Sequence, residues 1–333
     1  MANQPLIKVE NLKIGYEDKF GDIVEIVENV SFELHPNETL CIVGESGSGK
    51  SVSALAILGL LPPGLRILEG SIWFGGRDLA HLDEAEMRKI RGNDIAMVFQ
   101  DPMTSLNPVK RVGYQVGRAV IAHEPQANVA DVRQRVVRVL EDVGIADAEE
   151  QSNAYPHQWS GGMRQRAVIG TGIINSPSLL LADEPTTALD VTVQAKVLET
   201  LRASREATGA AMLLITHDLG VVAEVADTVA VMYSGRLVEQ GTVWDIFDKP
   251  QHPYTQGLLG SLLTASKVGG RAQAIPGSPP PPDERTRGCP FSPRCESPFR
   301  SEECESARPV SVHISPTHNA ACIAVKPEES NHG

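Results

Sequence analysis

The chain has no long hydrophobic run. None of its apolar stretches approaches the roughly 20 residues that a helix needs to cross a bilayer. The longest, residues 54–61, predicts a buried helix instead. The N-terminal residues also lack the basic start and apolar core of a secretory signal. We therefore expect a cytoplasmic protein, which other chains would have to hold at a membrane if it works there.

The chain has fewer basic than acidic residues. It contains 30 Lys and Arg residues and 42 Asp and Glu residues, which gives a net charge of −12. A surface with this balance does not attract nucleic acid broadly, so we expect no nucleic-acid partner. A local basic site for phosphate remains compatible with it. The length of 333 residues suffices for one large α/β domain and a smaller appendage.

Several short apolar segments, each followed by polar residues, have the character of buried strands. They are residues 40–43, 179–182, 212–215 and 229–233. Because helix-like stretches separate them, they predict an α/β fold with a parallel sheet covered on both faces.

Other segments predict more local features. Residues 70–79 predict a hairpin that turns at Gly75 and Gly76. Residues 110–175 are mostly helical in character, and residues 234–241 predict a turn and a short edge strand. The proline-rich residues 275–288 predict an extended linker.

One segment matches the phosphate-binding pattern G-x-x-x-x-G-K-[ST] between a predicted strand and a predicted helix. Its residues are Gly44, Glu45, Ser46, Gly47, Ser48, Gly49, Lys50 and Ser51. Glycines let backbone N–H groups surround a polyphosphate, and the helix N-terminus adds partial positive charge. We expect Lys50 to reach the β- and γ-phosphates of a nucleotide and Ser51 to bind Mg²⁺.

A second acidic site follows the apolar residues 179–182. Asp183 and Glu184 come where that strand ends, and the carboxyl ends of parallel strands open into the ligand crevice. We expect Asp183 to hold Mg²⁺ and Glu184 to polarise the attacking water.

Further motifs resemble those of ABC ATPases and occur in the order found in that family. Residues 159–166 (WSGGMRQR) resemble the signature motif, and Gln100 in VFQD resembles the Q-loop glutamine. Residues 188–190 (ALD) resemble the D-loop, and His217 resembles the switch histidine. Tyr16 stands where the family has an aromatic residue that stacks on adenine.

The resemblance implies a P-loop NTPase fold of the ABC type. Such a fold has a RecA-like parallel-sheet core, an antiparallel β subdomain and a helical subdomain. It also implies a head-to-tail pair of ATPase subunits, in which Ser160, Gly161 and Gly162 contact the γ-phosphate held by the partner's P-loop. Gln100 would bind Mg²⁺ and sense the attacking water, and His217 would contact the γ-phosphate.

Within the ABC family, three segments resemble oligopeptide, dipeptide and nickel importers. They are residues 100–109, residues 252–259 and the cysteine-containing tail at residues 289–333. The resemblance implies a homologous second ATPase subunit, two membrane permeases and an extracytoplasmic solute-binding protein, with residues 100 to about 123 receiving the permeases. Nickel, glutathione and oligosaccharide import remain alternatives to peptide import, and a non-transport ABC ATPase is the alternative of another class.

The resemblance also divides the chain into three parts. Residues 1–255 would form the ATPase domain, with a helical subdomain at about 101–170. Residues 256–288 would form a connecting helix and linker, and residues 289–333 the cysteine-containing extension.

Cysteine is rare outside this tail, since four of the five cysteines follow residue 288. The four are Cys289, Cys295, Cys304 and Cys322. Their spacing fits neither paired zinc-finger cysteines nor the ferredoxin run, so Zn²⁺, a [4Fe–4S] cluster and disulfides all remain open, the last disfavoured in a reducing cytoplasm. Similarity to the importer extension favours the cluster. We expect Cys41, which precedes the P-loop, to be a core residue.

Overall fold

The computed structural model describes residues 4–99, 105–187, 190–265 and 275–326. These residues divide into two compact units. Unit 1 comprises the described residues within 1–6, 34–39 and 81–215, and unit 2 comprises those within 7–33, 40–80 and 216–333. Among the described residues, every helix is too short or too polar to span a bilayer.

Unit 1 contains a parallel sheet in the strand order β8-β7-β6. The strands are β6 (Ile95–Val98), β7 (Leu179–Asp183) and β8 (Ala211–Thr216). Ile95 pairs with Leu179, and Leu179 pairs with Ala211. All the residues of β7 are buried, as expected of an interior strand in a parallel sheet that is covered on both faces.

Unit 1 also contains helices, and those between residues 110 and 175 account for the helical character predicted there. The helices of unit 1 are α2 (Glu84–Ile90), α3 (Val112–His123), α4 (Val129–Asp142), α5 (Ala148–Gln151), α6 (Gly161–Ile173) and α7 (Val191–Thr208). Helix α4 shows why these segments fold so. Asn128 caps its start by accepting the Ala130 N–H, and Val132, Val136 and Val139 recur at helical spacing on its buried face.

Unit 2 contains an antiparallel sheet in the order β2-β1-β4-β5. Its strands are β1 (Ile7–Glu17), β2 (Ile23–Leu34), β4 (Arg66–Phe74) and β5 (Arg77–Asp78). Phe74 pairs with Arg77 across Gly75 and Gly76, whose φ angles are 55° and 77°. Because both glycines adopt positive φ, as a two-residue hairpin turn of this kind requires, the predicted hairpin is confirmed.

Unit 2 also contains the strand order β11-β12-β10-β9-β3. These strands are β3 (Thr39–Val43), β9 (Thr228–Tyr233), β10 (Arg236–Thr242), β11 (Val312–Ser315) and β12 (His318–Ala320). Strand β3 runs parallel to β9, and Cys41 within it is fully buried, as predicted. The helices are α1 (Lys50–Ile57), α8 (Leu219–Val225), α9 (Val243–Asp248), α10 (Pro253–Ala265) and α11 (Glu303–Ser306).

The prediction that residues 234–241 end in an edge strand was wrong. Strand β10 is an interior strand, because β12 of the C-terminal tail pairs with it through Glu239 opposite Ala320. A buried contact reinforces the pairing, since His318 Nε2 lies 2.8 Å from Glu239 Oε1. The covering strand comes some 80 residues later in the sequence, beyond the reach of local pattern.

The same carboxylate organises the start of α10. The other oxygen of Glu239 accepts the His252 N–H at 2.9 Å, and His252 Nδ1 accepts the Tyr254 N–H at 3.1 Å. His252 thus caps the helix with an unprotonated ring nitrogen. Burial lowers the pKa of His252 to about 4, and the Glu239 charge only partly opposes this effect.

Acidification should therefore destabilise this region. Between the ordinary pKa of 6.5 and the folded value of about 4, the unfolded chain binds a proton at His252 that the folded chain does not. The free energy of unfolding should fall by about 2–3 kcal/mol between pH 7.5 and 4.5 from this group.

His252→Asn keeps an acceptor that can cap the helix but removes the titration. Urea denaturation at both pH values should show a flatter pH dependence for the variant by that amount. Equal pH dependence in the two proteins would show that His252 is not the group responsible.

Candidate functional site

The segment Gly44–Ser51 forms a tight loop between β3 and α1. Gly44, Gly47 and Gly49 have φ angles of 151°, 77° and 102°. A Cβ on Gly44 would lie 2.0 Å from the carbonyl oxygen of Met232, so no other residue fits that position. The glycines thus permit a backbone path that side chains would block.

Lys50 is the first residue of α1 and is buried. Its Nζ donates hydrogen bonds to the carbonyl oxygens of Gly44 at 2.8 Å and Glu45 at 2.9 Å. The ammonium group is therefore fixed over the loop at the N-terminus of a helix. Its positive charge and the partial positive charge of the helix N-terminus both favour the binding of an anion. Ser51 follows as the second residue of the same helix and is half-buried.

Asp183 and Glu184 lie at the carboxyl end of β7 in unit 1. Asp183 is buried at the end of the strand, and Glu184 is half-buried with a φ of 45°. A non-glycine residue in this left-handed region costs about 1–3 kcal/mol, a cost often found at functional positions. The Glu184 N–H donates to the Ile215 carbonyl at 2.9 Å, which holds the strained backbone in place.

The signature-like residues stand at the start of α6, also in unit 1. Ser160 is the N-cap residue, and its Oγ accepts the Met163 N–H at 3.3 Å. Gly161 is exposed with open space where a Cβ would lie, whereas a Cβ on Gly162 would approach Val193 to 2.8 Å. This end of the helix therefore presents Ser160 and Gly161 outward.

Sequence reasoning missed two side chains that support these residues. Thr187 Oγ1 donates to Glu184 Oε2 at 2.8 Å, which orients the carboxylate. The fully buried Gln165 of α6 donates to the Pro185 carbonyl at 2.8 Å, which ties the signature helix to the loop after Glu184. Gln165 lies in the signature motif and Thr187 three residues after Glu184, but only a known contact could have singled them out.

The remaining predicted residues lie on separate elements. Tyr16 is half-buried on β1. His217 is exposed directly after β8. Asp190 caps α7 by accepting the Val193 N–H at 3.0 Å. Gln100, Ala188 and Leu189 lie outside the described residues.

The four tail cysteines are half-buried free thiols, three of them on loops and Cys304 in α11. Burial raises the pKa of Cys289, and the thiols of Cys322 and Cys304 raise it further. Burial likewise raises the pKa of Cys322, with Cys295 and Cys304 adding to it. The Cys289 N–H donates to the Cys304 carbonyl at 2.8 Å, yet over the described ranges no three His, Cys, Asp or Glu side chains form a metal-binding group.

Comparison with known proteins identifies the family. Residues 27–187 match the model described as ABC transporter, and residues 238–304 match the model described as oligopeptide/dipeptide transporter, C-terminal region. The dipeptide transport ATP-binding protein DppD of Bacillus subtilis is 48% identical over 96% of this chain and 94% of its own length. DppD of Lactococcus lactis is 46% identical over 98% of this chain and 93% of its own length. The chain belongs to the ABC transporter family.

A solved ABC cassette supports the fold assignment. The ATP-binding cassette MJ0796, described as a dimer in a post-hydrolysis state bound to ADP and phosphate, superimposes with a TM-score of 0.63 at 27% identity. The match covers 71% of this chain and 98% of the cassette. The predicted ABC-type P-loop fold and the predicted resemblance to the oligopeptide and dipeptide group are thereby confirmed.

Proposed function

We propose that this ABC protein is the ATP-hydrolysing subunit of an importer of dipeptides and oligopeptides. The names of its relatives support the substrate class, and the P-loop supports ATP binding. The observation on which the proposal depends most is the position of Lys50, whose ammonium group lies at the helix N-terminus above the glycine loop.

The site residues receive their roles within this proposal. Lys50 neutralises charge on the β- and γ-phosphates. Glu184 takes a proton from water as the water oxygen attacks the γ-phosphorus and the bond to ADP breaks. Tyr16 stacks on adenine, and His217 and Gln100 contact the γ-phosphate and the attacking water. The P-loop residues from Gly44 to Ser51 surround the phosphates.

Magnesium would neutralise phosphate charge when bound. The hydroxyl of Ser51, the carboxylate of Asp183 and the amide oxygen of Gln100 are hard oxygen donors of the kind that Mg²⁺ prefers. The chemistry of these donors therefore fits the ion.

The partners follow from the same proposal. A homologous second ATPase subunit would contribute its P-loop to the Ser160, Gly161 and Gly162 of this chain. Two permeases would hold the pair at the cytoplasmic face of the membrane, and an extracytoplasmic binding protein would deliver the solute. The dimer described for the solved cassette supports the pairing.

The division of the chain is proposed accordingly. Residues 1–255 form the ATPase domain, with the helical subdomain at about 101–170. Residues 256–288 connect it to the extension at residues 289–333. The match of residues 238–304 to the C-terminal family model overlaps the proposed connecting segment and the start of the proposed extension.

The pairing can be tested at Gly161, where a side chain has open space within this chain. Gly161→Asp should leave folding and ATP binding at the chain's own P-loop unchanged. It should reduce ATP hydrolysis by the assembled transporter at least about tenfold, because a carboxylate would face the partner's γ-phosphate.

Gly161→Ala, which adds no charge, is the matched control and should retain most activity. Equal turnover of the aspartate variant and the wild type would exclude the proposed contact.

The function itself is tested by transport. The complex should be reconstituted with its permeases and binding protein, and ATP-dependent uptake measured for labelled dipeptides, oligopeptides, nickel, glutathione and oligosaccharides. Uptake of peptides should dominate. Uptake of nickel or sugar alone would show that the proposed substrate class is wrong, while the proposed role as the ATP-hydrolysing subunit of an importer would stand. ATP hydrolysis without any transport partner would favour a non-transport ABC ATPase.

We further propose that Cys289, Cys295, Cys304 and Cys322 hold a [4Fe–4S] cluster. Four thiolates are the usual ligands of such clusters, and two of the four residues are close neighbours, since the Cys289 N–H donates to the Cys304 carbonyl at 2.8 Å. Binding would draw them into a set that the described residues do not yet form. Such a centre would stabilise a tail that is too small to fold on a core of its own.

Protein purified without oxygen should be brown and contain iron and acid-labile sulfide in comparable amounts. Colourless protein rich in zinc would instead assign a zinc site, and protein free of both would leave the thiols without a metal.

A further inference from the structure

Arg294 of the C-terminal tail is bonded to the P-loop. The side chain is buried, and its Nη1 and Nη2 donate to the two carboxylate oxygens of Glu45 at 2.7 and 3.0 Å. Nε donates to the Pro276 carbonyl at 2.8 Å, and further bonds reach Gly277 and the Tyr233 hydroxyl. This paired arrangement with a carboxylate is the strongest form of such a contact.

Both partners of this ion pair are shielded from water, since the side chain of Arg294 is 7% exposed and that of Glu45 is 24% exposed. A buried guanidinium without a partner would be costly, and so would a buried carboxylate. The pair is therefore a fixed, charge-neutral unit.

Glu45 is held at every polar group of its own residue. Its N–H donates to the Tyr254 hydroxyl at 2.9 Å. Its carbonyl oxygen accepts from Lys50 Nζ at 2.9 Å and from the Ser48 N–H at 3.2 Å. Displacement of Glu45 would therefore also move a carbonyl oxygen that holds the Lys50 ammonium group.

An aromatic cluster fixes the tail against this loop. The ring centroids of Tyr233 and Tyr254 are 4.6 Å apart, and Phe291 lies 5.2 Å from the first and 5.4 Å from the second. All three rings are buried. Phe291 immediately precedes the 3₁₀ turn Ser292–Arg294, so one short segment supplies both the packing and the ion pair.

The charge of Glu45 explains why the P-loop needs such a partner. A carboxylate on a loop that binds a polyphosphate repels its ligand, and the repulsion is stronger in a partly buried site than in water. Arg294 cancels that charge and at the same time holds the side chain in place.

We propose that Arg294 is a positioning residue for the nucleotide site, through which the C-terminal extension controls the affinity for ATP. The inference depends on the proposed ATPase function. Arg294 acts through Glu45, the second residue of the P-loop, whose carboxylate it neutralises and holds in place.

Binding of ATP with Mg²⁺, measured by calorimetry on the full-length chain, tests the charge balance. Arg294→Ala leaves the Glu45 charge uncompensated and should weaken ATP binding about tenfold, with a smaller effect on ADP. Glu45→Gln leaves the Arg294 charge uncompensated and should tighten binding several-fold. The double variant is neutral again and should return to within about threefold of the wild type.

The opposite signs of the two single variants separate this role from a merely structural one. If Arg294 only anchored the tail, both single variants would weaken binding and the double variant would be the weakest. Either that result or wild-type affinity in Arg294→Ala would overturn the inference. If ATP binding by Arg294→Ala is weaker than that of the wild type at low salt and equal to it at high salt, that result supports the inference.

The tail offers a matched control. Arg300 forms an exposed ion pair with Glu305 at 2.9 Å, and Arg300→Ala should bind ATP as the wild type does. Thermal unfolding of each variant checks that it is folded. A wild-type chain that bound no ATP at all would refute the proposed function rather than the role of Arg294 alone.

Discussion

Replacing Glu184 by glutamine should lower the turnover of ATP about 10²- to 10⁴-fold while ATP binding persists, as expected for loss of a general base. Glutamine has the same shape and can still accept the hydrogen bond from Thr187 Oγ1, which lies 2.8 Å from the carboxylate. The strained backbone at φ 45° should also be retained. Only the capacity to take a proton from water is removed.

The variant should also trap the ATP-bound pair of subunits in a closed dimer, because ATP that joins the subunits is no longer removed. Phosphate release by the purified transporter and size-exclusion chromatography with ATP measure the two effects. Glu206→Gln, at an exposed position of α7, is the control and should behave as the wild type. Wild-type turnover in Glu184→Gln would show that another group is the base.

Replacing Lys50 by alanine should abolish detectable ATP binding, with an affinity loss of at least about 100-fold. The variant loses a buried ammonium group from a site for a highly charged anion, and removing one partner of such a charge pair costs about 2–5 kcal/mol. It also loses the two hydrogen bonds that close the loop over Gly44 and Glu45.

Calorimetry with ATP and Mg²⁺ measures the effect, and Lys89→Ala at an exposed position of α2 is the control. The two variants have different signatures, because Glu184→Gln retains binding and loses turnover whereas Lys50→Ala loses both. If Lys50→Ala kept the wild-type affinity, the phosphate-binding role of Lys50 would be wrong.

Much of the architecture was predictable from local pattern. The buried strands β3, β7, β8 and β9 coincide with short apolar segments, and the hairpin turns at Gly75 and Gly76 as expected. Such signals are local, since strand burial and turn geometry depend on neighbouring residues. The P-loop was predictable for the same reason, because its glycines, lysine and serine are contiguous.

The features that could not be predicted are contacts between residues that are distant in the sequence. The strand at residues 236–242 has the composition of an edge strand, yet the tail strand β12 covers it. Similarly, no pattern connects Arg294 with Glu45, although the two residues form the ion pair that joins the tail to the P-loop. Thr187 and Gln165 are further examples, because their roles depend on which carbonyl or carboxylate the fold brings to them.

By itself, the sequence of this ABC protein determined which residues can do chemistry, because phosphate loops, acidic strand ends and helix caps are formed by contiguous residues. Only the tertiary structure decided which charges are neutralised and by what. Burial removes water from a charge, so its partner must come from wherever the fold places one, and for Glu45 that partner is 249 residues away.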